Sequence, residues 1–178
     1  AAAIPAPLLT ANAITGDPSE ARKLAASASS LEDLQKLLDA YDGCNLKFRA
    51  TQLVFADGNP EAKIMLIGEA PGADEDRQGK PFVGRSGQLL DRMLGAIGLD
   101  RTSVYIVNTV PWRPPGNRTP TPQEVAICLP FLQRQIELAG PDFVLAMGAP
   151  ATQTLTGKRE GILRLRGQWF DMAVAGRS

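Results

Sequence analysis

The chain contains no histidine at all. That removes the commonest general base and metal ligand, and with them Ser-His hydrolysis and zinc hydrolysis as expected chemistries. Its two cysteines, Cys44 and Cys128, are too few for a disulfide framework. No apolar run is long enough to span a membrane. The first ten residues carry prolines and lack the basic start of a secretory signal, so a cytoplasmic protein is expected. There is no G-x-S-x-G elbow and no Walker loop, which disfavours a generic α/β hydrolase or a nucleotide-binding protein. Formal net charge is zero over 178 residues, enough for one domain with a real core. The distribution is uneven. Residues 77–118 carry seven basic side chains (Arg77, Lys80, Arg85, Arg92, Arg101, Arg113, Arg118) against Asp91 and Asp100, a local footprint suited to an anion such as DNA.

What is present is organised around Ile64 to Asp76. Ile64–Ile67 is an apolar run without alternation, as in a strand buried on both faces. It empties into Gly68-Glu-Ala-Pro-Gly72 and a cluster of carboxylates, and open α/β sheets place ligands at such a strand end. Residues 1–20 read as a loose tail and 21–178 as a single domain. Ser30 begins a capping box for a helix whose inward face is Leu31, Leu34, Leu37, Leu38 and Tyr41, ended by Gly43. Val54–Ala56 reads as a short strand before the Asp57-Gly-Asn-Pro60 turn. A Gly-dense stretch, Gly79–Gly87, leads to a helix capped by Ser86, with Leu89, Leu90, Met93, Leu94 and Ile97 expected inward. Val104–Val107 is a second strand, ending at Asn108. A proline-stiffened loop follows, from Pro111 to Pro120. Thr121-Pro-Gln-Glu124 is a capping box with proline at the first helical position, and Gly140 closes that helix. Asp142–Met147 is a third strand, a short helix runs from Ala151 to Leu155, and 162–172 is expected as strand or hairpin. Apolar strands alternating with helices imply right-handed parallel crossovers. The expected fold is therefore a three-layer α/β/α sandwich around a mainly parallel sheet. Glu69, Asn108 and Gly148 would then line one crevice at the strand ends.

Three stretches in order and in register, Gly68–Gly72 with its acids, Gly79–Gly87, and Asn108 through Arg113-Pro-Pro-Gly-Asn-Arg-Thr-Pro-Thr-Pro122, resemble the family 4, iron–sulfur-type uracil-DNA glycosylases. The resemblance runs from about Tyr41 to about Gly167. It implies hydrolysis of the bond between uracil and deoxyribose in DNA, single- or double-stranded, after the base is flipped from the stack. On that likeness Phe82 is the aromatic that stacks on the flipped base, although a phenylalanine in a Gly/Pro loop also suits a core. Asn108 reads the uracil edge, accepting from N3–H and donating to O4; a turn cap is the plainer role. Gly68, Ala70 and the amides between them suit uracil O2 as charge develops on the leaving base. Glu69 is the expected catalytic residue, by placing water or by stabilising a cationic sugar; a solvated loop acid is its plainer role. Arg85, Ser86, Gly87, Asn117 and Arg118 suit DNA phosphates.

The sequence departs from the family in two places. The family's four cysteines hold a 4Fe–4S cluster, and the matching positions here are Tyr41, Cys44, Trp112 and Cys128. Two thiolates cannot hold a cluster that needs four ligands, so no cluster and no other metal is expected. The four side chains would form an apolar plug instead. The family also continues into a His-Pro-Ser/Ala-Tyr-Leu-Leu-type motif that has no counterpart before Ser178, and a C-terminally incomplete sequence is the expected reason, since stopping mid-hairpin exposes a sheet edge. The expected protein is a monomeric, monofunctional glycosylase of base excision repair. A non-catalytic binder of uracil-containing or single-stranded DNA is the other reading.

Overall fold

The structure is a computed structural model, and it describes residues 16–172. Four strands form one sheet in the order β1-β3-β2-β4: β1 (Asp57–Gly58), β2 (Ile64–Gly68), β3 (Tyr105–Asn108) and β4 (Phe143–Ala146). Strands β2, β3 and β4 run parallel, and β1 pairs antiparallel with β3. Helices lie on both faces, so the expected three-layer architecture stands. On one face, α4 (Arg85–Ala96) presses Leu90 and Leu94 onto Leu66, Val104 and Ile106. On the other, α5 (Pro122–Ala139) lays Leu132 and Ile136 over Met65, Ile67 and Val107. Further along, α5 meets α1 (Pro18–Ser27) and α2 (Leu31–Ala40) around Leu34, Leu38, Trp112 and Phe131.

Local rules place these elements. Ser30 accepts from the Asp33 amide to start α2. Thr121 and Glu124 exchange hydrogen bonds as a capping box, and Gly140 at φ 60° ends α5 in the left-handed conformation.

Several expectations are corrected. Residues 16–20 are not all loose tail: Asp17 caps α1 and Pro18 opens it, while residues 1–15 lie outside the described part. Helix α1 buries only Ala21 and Ala25, so it shows no strong apolar stripe. No strand forms over Val54–Ala56; the ladder with β3 instead begins at Asp57. Helix α2 ends at Tyr41 rather than Gly43, and Gly43 is needed because a Cβ there would lie 2.2 Å from the Tyr41 hydroxyl. The acidic stretch after Gly72 is a helix, α3 (Ala73–Gln78), too short to reveal a period. Gly84, not Ser86, caps α4, and Leu89, Met93 and Ile97 are 52–70% exposed because this helix meets the sheet on one narrow ridge. Residues 162–172 contain the short helix α7 (Ile162–Leu165) and no strand. The helix that directly follows β4, α6, spans Ala149–Thr156. Strand β4 is an edge of the described sheet, with Phe143 and Leu145 each 55% exposed and the Phe143 ring edge-on to Trp169.

The long connection from α2 to β2 is stapled by one carboxylate. Asp76, 4% exposed, accepts from the Thr51 amide and hydroxyl, both at 2.8 Å. Replacing it with alanine leaves two part-buried donors without their acceptor, each worth about 1–3 kcal/mol. Asp76→Ala should therefore lower the urea midpoint by an amount equivalent to about 3 kcal/mol, with Asp76→Asn in between. An unchanged midpoint would show the staple to be idle.

Candidate functional site

The parallel register of β2 and β3 sets Gly68 directly beside Asn108. Both strands end there, and their exits remain tied. The Thr109 amide donates to the Gly68 carbonyl at 2.8 Å and the Val110 amide to that of Glu69 at 3.1 Å. The Thr109 hydroxyl adds a third bond, to the Glu69 carbonyl at 2.6 Å. Phe82 reaches the same point from the Gly79–Gly87 loop. A Cβ on Gly68 would lie 2.5 Å from Phe82 Cζ and 2.6 Å from Asn108 Oδ1, so both side chains converge over a bare Cα. Asn108 is 6% exposed and its amide finds no partner among the described residues. Such a group is costly to bury unless something hydrogen-bonds to it.

The Phe82 loop is strained and pinned. Phe82 has φ 55°, a left-handed backbone that costs a non-glycine residue about 1 kcal/mol or more. Glu75 holds the far side: its carboxylate accepts from the Gly72, Val83 and Gly84 amides at 3.1, 2.9 and 2.7 Å. Arg101 holds the near side, donating to the Pro81 carbonyl at 3.1 Å and to the Phe82 carbonyl. A Cβ on Gly87 would come within 1.7 Å of that same carbonyl. Sequence reading gave Gly87 to a phosphate; its first task is to let Phe82 close in. One of Asp74, Glu75 and Asp76 is expected from the sequence to fix the loop by hydrogen bonds, and Glu75 does so. Arg101 and Thr109 were missed as parts of the site.

Glu69 is partly buried, and its Oε1 is buried without a hydrogen-bond partner. It borders a cavity of about 410 Å³ shared with Thr109, Pro120, Val125, Gln153 and Lys158. Neither Phe82 nor Asn108 lines that cavity, and Glu69, next to Gly68 in the chain, does. Ala70 is partly buried beside it. Gly148 caps α6, which joins the crevice through Pro150.

The basic middle third is less free than its composition suggests. Arg77 pairs with Asp74, Lys80 with Asp57, Arg101 with Asp57 and Asp91, and Arg118 with Glu124. Arg118 grips Glu124 with both ends of its fork, at 2.7 and 2.8 Å, and this bond holds the Glu124 carboxyl below its usual range. Arg118 thus has a structural engagement that competes with a phosphate. Asn117 is exposed at φ 57° and accepts from Arg113 Nε at 2.7 Å. Arg85 and Ser86 are exposed in the first turn of α4, and Arg85 makes no ion pair among the described residues.

At the positions matching the family's cluster ligands, the donor set does not fit. Cys44 and Cys128 stand with their sulfurs 4.0 Å apart, both buried, beside the fully packed Trp112. Tyr41 leans on Phe131 with centroids 5.1 Å apart and has a buried hydroxyl without a partner. The hydrogen bond to Cys44 and complete burial push the Cys128 thiol well up, so it stays protonated at neutral pH. Among the described residues no group of three or more His, Cys, Asp or Glu could hold a metal ion. Nor is any helix there long and apolar enough to cross a membrane.

Residues 55–176 match the model of the uracil DNA glycosylase superfamily. The chain is 46% identical to the type-4 uracil-DNA glycosylase of Thermotoga maritima over 129 residues, covering 72% of this chain and 67% of that one. To that of Archaeoglobus fulgidus it is 45% identical, covering 70% and 62%. To that of Pyrobaculum aerophilum it is 40% identical, covering 82% and 76%. The chain thus spans roughly two thirds of the length of the curated relatives it matches. A family match over most of the chain and relatives this similar make one statement plain: this protein belongs to the uracil DNA glycosylase superfamily.

Proposed function

We propose that this protein is a uracil-DNA glycosylase of base excision repair that releases uracil by hydrolysis and leaves an abasic site. The single observation that carries the reading is the convergence of Phe82, Gly68 and Asn108 over one bare Cα, within a chain whose relatives are named for this activity. Phe82 offers a ring face to an extruded base. Asn108 offers one acceptor and one donor, which match uracil N3–H and O4 and mismatch cytosine, whose 4-amino group donates and whose N3 accepts. The amides from Gly68 to Ala70 meet uracil O2 as the glycosidic bond breaks and its electron pair passes to the base. Water then adds its oxygen to C1′ and its proton leaves toward the base. Glu69 is placed to orient that water or to face the positive sugar. Arg85 and Ser86 at the start of α4, with Asn117, take the flanking phosphates; Gly87 lets the backbone approach, and Arg118 joins them only by releasing Glu124. We further propose that the protein acts as a cytoplasmic monomer, on single- or double-stranded DNA.

Uracil release from U-containing oligonucleotides, measured on the full-length protein, tests this. Glu69→Gln, Asn108→Ala and Phe82→Ala should each slow release by about a hundredfold or more. A protein that retards uracil-DNA on a gel but frees no uracil would be the binder. Asn108→Asp should weaken discrimination against cytosine, and a variant that discriminates as well as wild type would remove edge reading from Asn108.

We also propose that it works without an iron–sulfur cluster. Cys44, Cys128, Tyr41 and Trp112 together offer only two thiols, packed as hydrophobic filling. The purified protein should show no iron and no broad absorbance near 400 nm; stoichiometric iron would overturn this.

A further inference from the structure

We propose that Arg101 is a positioning residue for base stacking, acting through the backbone of Phe82. The inference rests on the reading of Phe82 as the stacking aromatic. Arg101 lies outside the three recognised stretches, on a short 3-10 turn before β3. Its guanidinium joins three elements. Nε donates to Asp91 of α4 at 2.8 Å, Nη1 to Asp57 of β1 at 2.8 Å and to the Pro81 carbonyl at 3.1 Å, and Nη2 to the Phe82 carbonyl. The Arg101 side chain is 23% exposed and that of Asp57 18%, so this is no solvent-frayed surface pair. Asp57 stays ionised: burial opposes its charge, but the hydrogen bond from Arg101 and the charges of Lys80 and Arg101 outweigh that and hold its carboxyl below the usual range.

The strain explains what the contact is for. Phe82 occupies a backbone state that its side chain disfavours, so the loop needs restraint on both sides of that residue. The amides after it go to Glu75, and the carbonyls at and before it go to Arg101. A ring held this way is preset for the base rather than ordered on binding. The Nε, Nη1 and Nη2 groups are already committed, so a phosphate would have to displace carboxylates. Only a planar fork can serve four acceptors in these directions, and lysine cannot.

The test compares wild type with Arg101→Ala and Arg101→Lys, alone and in the Phe82→Ala background. Single-turnover uracil release should fall on the order of tenfold in both single variants, with the salt dependence of DNA binding unchanged. In the Phe82→Ala background the same changes should cost less than about twofold, since the residue they act through is gone. A fully additive loss, or a shallower salt dependence, would overturn the proposal. A second readout needs no activity: with 4-fluorophenylalanine incorporated, the line assigned by Phe82→Leu should be single in wild type and broadened or split in the Arg101 variants, the other lines keeping their positions. An unmoved Phe82 line overturns the inference whatever the kinetics. A wild type that frees no uracil, yet whose Phe82 line responds to Arg101, would sink the glycosylase reading and leave the clamp standing. If Arg101→Ala does not fold, Arg101→Lys carries both readouts.

Discussion

The arrangement depends on one constraint, the register of β2 on β3. Because Gly68 pairs with Asn108 rather than with a neighbour, the two strands stop at the same level. A one-residue slip would turn Asn108 to the opposite face of the sheet and bring Thr109 or Val107 to the pocket. The register is held from below by Met65, Ile67 and Val107 against α5, and by Leu66 and Ile106 against α4. It is held from above by the Thr109 and Val110 amides on the carbonyls of Gly68 and Glu69. The site therefore inherits its geometry from a buried ladder, while the loop that brings Phe82 has to be fixed by other means.

Those means are charges whose partners are backbone groups. Glu75 and Asp76 are adjacent in α3 and serve different segments. One gathers three amides of the loops around Gly72 and Gly84, and the other gathers Thr51. A carboxylate that accepts several amides stabilises an irregular segment more than an exposed ion pair would. The acids near the pocket mouth thus divide their work. Glu75 and Asp76 build the walls, Asp74 pairs with Arg77 at the surface, and Glu69 alone keeps a buried oxygen without a protein partner.

Much of the fold was legible because its signals are local. Apolar runs marked β2, β3 and β4, and caps marked α2 and α5. The residues converging on Gly68 could be read from stretches resembling a known family. What was hidden has physical reasons. Helix α1 packs through alanines, so it shows no apolar stripe, though Asp17-Pro18 repeats the cap-and-proline start seen at Thr121-Pro122. The breadth of the α4 stripe was overread because periodicity gives a face but not how much of it meets the sheet. Ile162, Leu163 and Trp169 suggested a strand, yet they are exposed and only Leu165 of that helix is buried. Arg101 looked like part of a basic footprint. Its meeting with Asp57 joins residues 44 positions apart, and no local pattern announces that.

The thiol region joins segments of the chain that lie far apart in sequence. A cluster supplies cross-links among chain segments that are distant in sequence. Here Tyr41 and Cys44 of one segment meet Trp112 and Cys128 through packing and one thiol–thiol hydrogen bond. Trp112 is 1% exposed, and together with Phe131 it fills volume between α2, α5 and the loop after β3. Burying an indole of this size contributes stabilisation of a few kcal/mol without any ligand geometry to satisfy. The Tyr41 hydroxyl is buried there without a partner, a polar group where apolar filling would suit better. This packing acts on the segment that leads from Asn108 through Pro111 to Pro120. The stiffness of that segment comes from its prolines and from the Arg118–Glu124 fork. The pocket end of β3 is therefore braced by side-chain packing.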